Sequence, residues 1–297
     1  MKKGLVVILA GLLPFSAEGA PLKGVISAGV LKGKPRLVEG ALTGKIKEGC
    51  VELNLAAGSL LTLTVLNPKG EGLKGNFGLS RNDRFGILWS SVKLKPAQNL
   101  AVEGGILTTL VGVELPLTAQ NYNTLFGLLW SSQPFIYRGA RLYYYKNSLT
   151  FYAETSREGR ALGLLKTAGE TQFGVNLFAF KEGRNLVDLS AGRSSGRLSV
   201  IVNLNYHYLR SSPSKKAAGG ALYLNYRLSK KLSLPLRLEA VKDFKNSGVY
   251  GLPKATYSIT LSPTYRLNQK TLLRGEIAAV RGGKRETATV LEVSLSF

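Results

Sequence analysis

The sequence has few of the residues from which most catalytic, metal and disulfide sites are built. It contains one cysteine, one histidine and one methionine in 297 residues. Because Cys50 has no partner, an intramolecular disulfide scaffold is excluded, and we predict that it is a buried, inert thiol. The sequence contains no phosphate-binding glycine loop, dinucleotide fingerprint or paired-cysteine metal motif. We therefore predict no cofactor and no metal.

Acidic residues are also scarce. The chain has 18 Asp and Glu residues against 40 Lys and Arg residues, which gives a formal net charge of +22. An exported protein with this charge is expected to contact phosphates, anionic lipid headgroups or small anions. We predict lipid and solute partners and no nucleic acid.

Long apolar runs are absent after the first 20 residues, so no later segment predicts a membrane-spanning helix. Residues 1–20 begin with two lysines, continue with an apolar run over residues 4–15 and end with small residues around Ala17. This order is typical of a secretory signal peptide. The alternative is a buried N-terminal strand. The signal interpretation leaves residues 21–297 as one mature domain.

A two-residue alternation of apolar and polar side chains fills the second half of the chain. In the final segment, residues 287–297, Leu291, Val293 and Leu295 share one face, and Glu292 lies on the other. Side chains of a strand alternate between its faces, so this period predicts β-strands. The same period occurs in five further segments: residues 148–154, 221–229, 232–240, 256–267 and 272–279. Apolar residues at helical spacing are not found over comparable lengths, and we predict an all-β fold.

The length and the second face of these strands favour a membrane. Several segments reach ten residues or more, close to the roughly 9–11 residues that a tilted strand needs to cross a bilayer. Their polar faces carry Arg, Glu, Ser, Thr and Asn and must be hydrated, yet the apolar faces are too extensive to face water as well. A closed barrel in lipid satisfies both demands, with apolar residues outside and polar residues inside.

Connection lengths support the same architecture. Short links are predicted at residues 146–147, 168–170, 195–196, 229–231 and 268–270. They alternate along the chain with links that are often longer, predicted at residues 112–136, 210–216, 242–254 and 281–287. Outer-membrane barrels have tight periplasmic turns and longer external loops. We count twelve strands from Leu100 onward and four to six before it. For residues 21–297 the prediction is one outer-membrane domain, a transmembrane antiparallel up-and-down β-barrel of about 16–18 strands.

The link at residues 112–136 is the candidate constriction loop. Long links are uncommon unless they have a function. Its polar candidates are Asn121, Tyr122 and Asn123, and its bulky candidates are Trp130 and Phe135. Two alternatives stay open: a loop folded into the lumen, or an external segment that caps the barrel or forms two short strands.

Charged residues in the inward phase are the candidate pore-lining residues. They are Arg227, Arg237, Arg266, Arg274, Glu239, Glu276 and Glu292. If the arginines lie opposite the glutamates across the lumen, they could form a transverse electric field across a pore. The alternative is a ladder of ion pairs between strands that stabilises the barrel.

An enzymatic barrel is disfavoured because the chain has one histidine to serve as a base. A hairpin turn at residues 195–196 would place Asp188 opposite Asn203, four residues from His207 along the strand. That separation is roughly 13 Å, beyond hydrogen-bonding reach.

One stretch resembles a known family. Residues 99–145 are similar to the beta-barrel porin-2 (OmpL-like) family, in which a Gly-x-Glu element, an Asn-containing loop, Pro-Phe and Gly-x-Arg precede a tyrosine-rich strand; the resemblance covers roughly residues 98–297. The matching positions are Gly112 to Glu114, Asn121 to Asn123, Pro134 with Phe135, and Gly139 to Arg141. The closing hairpins also resemble the family, with Glu239, Asp243 and Glu276 at its acidic positions. The resemblance implies a porin in the outer membrane.

The functional prediction is a water-filled channel for passive diffusion of small hydrophilic solutes, with a mild preference for anions. The alternatives are a structural or adhesive barrel with a blocked lumen and an outer-membrane hydrolase. Predicted partners are outer-membrane lipids, lipopolysaccharide phosphates bound by basic external loops, and the barrel-assembly machinery through the C-terminal strand ending in Phe297. A homo-oligomer is also predicted.

Overall fold

The computed structural model describes residues 22–31, 34–46, 51–59, 63–65, 73–75, 86–115, 121–245, 247–252, 255–282 and 285–296. The predicted signal peptide at residues 1–20, Cys50 and Phe297 lie outside these residues. Among the described residues, no helix is long and apolar enough to cross a membrane.

The secondary structure is almost entirely β. The strands are β1 (Leu22–Leu31), β2 (Lys34–Ile46), β3 (Val51–Ser59), β4 (Leu63–Val65), β5 (Leu73–Gly75), β6 (Gly86–Ala97), β7 (Leu100–Thr108), β8 (Ile136–Lys146), β9 (Leu149–Ser156), β10 (Gly159–Ala168), β11 (Thr171–Phe180), β12 (Arg184–Ser195), β13 (Leu198–Leu209), β14 (Ser212–Arg227), β15 (Leu232–Phe244), β16 (Thr256–Leu261), β17 (Thr264–Arg266), β18 (Thr271–Arg281) and β19 (Arg285–Ser296). One turn of 3-10 helix, Trp130–Ser132, precedes β8.

The strands form a closed antiparallel barrel. Seventeen of the described strands belong to one sheet, in which neighbours in sequence pair with each other and β1 also pairs with β19. A separate hairpin contains β4 and β5. Both β16 and β17 pair with β15 and β18, so they are two halves of one wall strand, interrupted at Ser262 and Pro263. Proline has no N–H to donate and commonly interrupts a strand. Sixteen wall strands result, twelve of them from Leu100 onward, which confirms the predicted barrel.

The two faces of the wall are those that the alternation predicts. Large apolar side chains are exposed on the outside, including Ile277 at 60%, Leu162 at 59% and Tyr257 at 56%. The residues next to them in sequence point inward and are buried, as Glu276 is at 1%. So large an exposed apolar surface is stable only against lipid, because soluble proteins rarely expose apolar patches above a few hundred Å². The prediction of an apolar outer face and a polar inner face is confirmed.

The two ends of the barrel differ in the length of their links. The turn end, as we name it, carries the links at residues 98–99, 147–148, 169–170, 196–197, 228–231 and 267–270. Three of these links begin with a residue of positive φ: Asn147 at 54°, Gly169 at 58° and Gly196 at 56°. Tight hairpins favour glycine or asparagine there, because other side chains are strained in that conformation. The opposite end, the loop end, carries the long links at residues 109–135 and 245–255.

Two predicted long links at the loop end are wrong. The link predicted at residues 210–216 contains two residues, because β14 already begins at Ser212. The link predicted at residues 281–287 is also shorter, because β19 begins at Arg285. The polar residues in both segments indicate a loop in sequence. In residues 281–287 backbone pairing continues as far as Arg281 with Arg285. In residues 210–216 the pairs are Tyr208 with Lys216 and Leu209 with Ser212, and residues 213–215 bulge out between them. The register of β13 and β14 shifts between Tyr208 and Leu209, as in a β-bulge, which extends that hairpin.

Candidate functional site in the barrel lumen

The link between β7 and β8, residues 109–135, is the inward loop. Its base is closed by a hydrogen bond from Thr109 N to Phe135 O of 2.7 Å. Its described residues form the 3-10 turn and no strand, and they contact inward side chains of β12, β13, β15, β18 and β19. Of the two alternatives that the sequence left open, the structure has the loop that folds into the lumen.

Carboxylates of the closing strands hold the middle of the inward loop. Glu276 Oε2 accepts the backbone N–H of Thr124 at 2.5 Å, and its Oε1 accepts that of Leu125 at 2.8 Å. Glu292 Oε2 accepts the hydroxyl of Thr124 at 2.6 Å. Both carboxylates are 1% exposed. Buried backbone N–H groups need acceptors, and ionised carboxylates are the strongest that side chains provide.

A second set of charges holds the next residues of the loop, Gly127 and Leu129. Arg237 contacts Glu114 of the loop through Nη1, and its Nε lies 3.0 Å from Glu239 Oε2. Glu114 Oε2 accepts the N–H of Gly127 at 2.8 Å, and Glu239 Oε1 accepts that of Leu129 at 3.2 Å. Burial raises the pKa of the Glu114 carboxyl to about 7, against the lowering effect of Arg237. A side chain at position 127 would displace the Glu239 carboxylate, since a Cβ there would lie 2.1 Å from Glu239 Oε1.

Asp188 of β12 holds both ends of the loop. Its side chain is fully buried, and its Oδ1 accepts the N–H of Gly112 at 3.0 Å. Its two oxygens also accept the amides of Asn176, Asn203 and Asn205. Gln133, at the far end of the loop, donates to Asn205 Oδ1 at 2.8 Å. Residues 21 positions apart in sequence are therefore fixed to the same point of the wall.

The predicted register around Asp188 is wrong. Asp188 pairs with Asn205, not Asn203, because the hairpin turns at residues 196–197. Asp188 therefore lies two residues from the position of His207, not four. The buried His207 contacts Ser132 Oγ through Nε2 at 3.0 Å and Arg184 Nη1 through Nδ1 at 3.4 Å. Asp188 bonds to asparagine amides and to the loop backbone instead, so the arrangement lacks the carboxylate that would orient a catalytic histidine.

The bulky candidates of the constriction loop pack against each other. Trp130 stacks on Phe126 with 3.6 Å between ring centroids, and Phe135 lies 3.8 Å from Trp130. Trp130 is 2% exposed. These rings form the apolar interior of the inward loop. Tyr122 is partly exposed and lies beside open space in the lumen.

The asparagines of the loop have structural contacts. Asn121 forms a pair of hydrogen bonds with the backbone N–H and C=O of Leu115, both at 2.7 Å. Asn123 Nδ2 donates to Ser262 Oγ at 2.6 Å. Asn121 stabilises the bend of the loop, and Asn123 attaches it to the interrupted strand.

The seven candidate pore-lining residues fall into two groups. Arg237, Arg274 and the three glutamates are buried against the inward loop; Arg274 pairs with Glu292 across β18 and β19 at 3.1 Å. Arg227 and Arg266 stay exposed, in a cavity at the turn end. In the first group, Arg274 with Glu292 is an ion pair between strands, whereas Arg237 pairs with Glu114 of the loop and Glu239 of its own strand, and Glu276 bonds to the loop. Open lumen surrounds the second group.

A further buried charge cluster escaped the sequence analysis. Arg141 of β8 lies 2.6 Å from Glu154 of β9 and 3.5 Å from Glu103 of β7. It also donates to the hydroxyl of Tyr143 at 2.9 Å and to the carbonyl oxygen of Thr108 at 2.6 Å. The signal was present, because these charges occupy the inward phase of three consecutive strands.

A closed wall of antiparallel strands, apolar outside and charged inside, with one long loop in the lumen, defines an outer-membrane β-barrel of the porin class. A family model described as "Putative beta-barrel porin-2, OmpL-like" matches residues 84–157 and 159–292. The chain belongs to that family, and its place is the bacterial outer membrane. The family predicted from the residue motifs is confirmed.

Solved structures share the fold. The barrel is similar to a loop-deletion mutant of OmpT, an outer-membrane protein of Vibrio cholerae, with a TM-score of 0.66 and 11% identity over 94% of this chain and 99% of that chain. It is similar to the outer-membrane channel DcaP of Acinetobacter baumannii, with a TM-score of 0.64 and 9% identity over 94% and 97%. It is also similar to an anion-selective porin from Comamonas acidovorans, with a TM-score of 0.59 and 13% identity over 94% of this chain and 99% of that chain. A comparison with curated proteins found no match.

Proposed function

We propose that the protein forms a water-filled channel through which small hydrophilic solutes diffuse passively. The observation that carries this proposal is the open space left beside the inward loop, a cavity of about 560 Å³ in the lumen at the turn end. Membership of a porin family supports a channel and argues against an enzyme. A barrel of this strand number is also wide enough to enclose an aqueous lumen.

A structural barrel with a blocked lumen is the second candidate. It is favoured by the apolar clusters that the loop and wall form together, such as Leu128, Leu129, Tyr223 and Tyr250. Planar-bilayer recording discriminates between the two. We expect stepwise conductance increments from the purified protein; a protein that inserts without increments would support the blocked barrel.

We also propose a mild preference for anions. The net charge of +22 supports it, as does the engagement of the inward glutamates by the loop, which leaves exposed arginines at the turn end. In a potassium chloride gradient, the reversal potential should have the sign of chloride selectivity. A cation-selective reversal potential would refute the preference and leave the channel intact.

The outer surface at the loop end is proposed to bind lipid phosphates. The outward-facing Phe244 of β15 is flanked by two lysines: Lys242 Nζ lies 5.0 Å and Lys216 Nζ 6.0 Å from its ring centroid. Tyr208 pairs with Lys216 on the adjacent strand. Basic groups among aromatic rings at the edge of an apolar band match the phosphates of lipopolysaccharide in chemistry and depth.

Replacing Lys216 and Lys242 by glutamine should lower the lipopolysaccharide phosphate that co-purifies with the barrel, because two cations of the patch are lost. The matched control is Lys166→Gln with Arg193→Gln, which removes two exposed cations near the turn end. Native mass spectrometry of both proteins after identical extraction provides the comparison. Equal lipid retention by the two double variants would contradict the assignment.

Assembly partners stay predictions. A solved OmpT of Vibrio cholerae is a trimer form, which supports a possible homo-oligomer for this barrel. Contact with the barrel-assembly machinery through β19 and Phe297, and removal of residues 1–20 as a signal peptide, are proposed from the sequence alone.

A further inference from the structure

The cavity at the turn end lies below the tip of the inward loop. Asn121 and Tyr122 border it on the loop side. Its other sides are the turn-end halves of β14, β15, β17 and β18 and the link at residues 228–231. The loop occupies the lumen above it, so a solute that enters or leaves the barrel on this side of the turn end crosses this space.

Cations dominate the lining. Five basic residues border the cavity: Arg227, Lys230, Lys231, Arg266 and Arg274. Among the residues that the structure describes, its lining contains no aspartate or glutamate. In the described part of the chain, Arg274 alone among the five has a carboxylate within 4.0 Å, that of Glu292. Four positive charges thus lie around one cavity with no carboxylate of a described residue within 4.0 Å of them.

The strand register places two of these cations on one row of the wall. Arg227 pairs with Ser233, Ser233 pairs with Thr264, and Thr264 pairs with Arg274. All four residues are in the inward phase of neighbouring wall strands. With about 4.8 Å between strands, the row spans roughly 14 Å between the Cα atoms of Arg227 and Arg274. Arg266 lies two residues from Thr264 on the turn side of the row.

We propose that this cavity is a binding site for oxyanions, which holds the phosphate or carboxylate group of a solute during its passage. The inference rests on the proposed channel function and identifies the class of solute. Guanidinium groups match both kinds of oxyanion with paired N–H donors. Full hydration of the site keeps binding weak, as conduction requires, because a solute must also leave.

Inorganic phosphate is the probe. At constant ionic strength, adding phosphate to a chloride solution should reduce the single-channel chloride current in a saturable way. In the double variant Arg227→Gln with Arg266→Gln, half-maximal reduction should need about tenfold more phosphate or higher, because two charge-assisted contacts are lost. The matched control is Arg157→Gln with Arg160→Gln, which removes two exposed charges at the loop end and should respond like the unmodified protein.

Titration calorimetry of the detergent-solubilised proteins with phosphate separates the site from the channel. If the unmodified protein shows no conductance, the channel proposal fails, while phosphate heat that is lost only in the cavity variant would still support the site. If phosphate changes neither current nor heat, the site is refuted. Equal losses in both double variants would refute it as well, because the effect would then follow net charge. Retained resistance of each barrel to denaturation by detergent shows that the variants are folded.

Discussion

Replacing Glu276 by alanine should release the inward loop and increase single-channel conductance. The carboxylate accepts the N–H groups of Thr124 and Leu125 and the hydroxyl of Ser262. Its removal leaves three donors without this acceptor, those of Thr124 and Ser262 buried and that of Leu125 partly buried. Hydrogen bonds to charged groups are worth roughly 1.5–3 kcal/mol each. The free energy that holds the loop in the lumen thereby falls by several kcal/mol. The loop can then move away from the wall, and its movement should make the single-channel current fluctuate.

The matched control is Glu170→Ala, which removes an exposed carboxylate from a turn. Its conductance and current noise should equal those of the unmodified protein in planar bilayers. Both variants should keep the compact, detergent-resistant band on unheated electrophoresis, since the wall is intact. An unchanged conductance and a quiet trace for Glu276→Ala would mean that the remaining contacts of the loop suffice, and that the carboxylates are not its main attachment.

The sequence predicts the wall well because alternation is a local property. The outward phase of Leu291, Val293 and Leu295 follows from the two-residue period, whatever the strand pairs with. The same locality explains why the error at Asp188 did no harm to the prediction of faces. A slip of two residues changes the partner from Asn205 to Asn203 but keeps the phase, whereas a slip of one would reverse it.

Sequence patterns could not predict how the inward loop is attached, because the attachment joins residues that are distant in sequence. Thr124 and Glu276 are 152 positions apart. Periodicity shows that Arg227 and Arg237 point inward, but it says nothing about which of them the loop covers. Arg237 lies under the loop and pairs with Glu114, while Arg227 lies near the turn end, beyond the tip of the loop. Arg237 is covered and Arg227 is exposed because they lie at different depths in the barrel, and the alternation carries no information about depth.

Replacing Arg141 by methionine should destabilise the barrel more than any other single change proposed for the wall. Methionine fills much of the same volume but leaves the carboxylates of Glu154 and Glu103 buried without their cation. Breaking a buried pair by removing one partner costs roughly 3–5 kcal/mol. The temperature at which the detergent-resistant barrel unfolds on electrophoresis should fall markedly, and circular dichroism should show the same shift.

The matched control is Arg138→Met, the same substitution three residues earlier on β8, where the side chain is exposed. Its unfolding temperature should stay close to that of the unmodified barrel, because an exposed arginine leaves no buried charge behind. The double change of Arg141→Met with Glu154→Gln should recover part of the loss, since it removes one of the two stranded carboxylates. A single variant as stable as its control would imply that water reaches this cluster from the lumen, and that the polar interior of the wall is held by solvation instead of pairing.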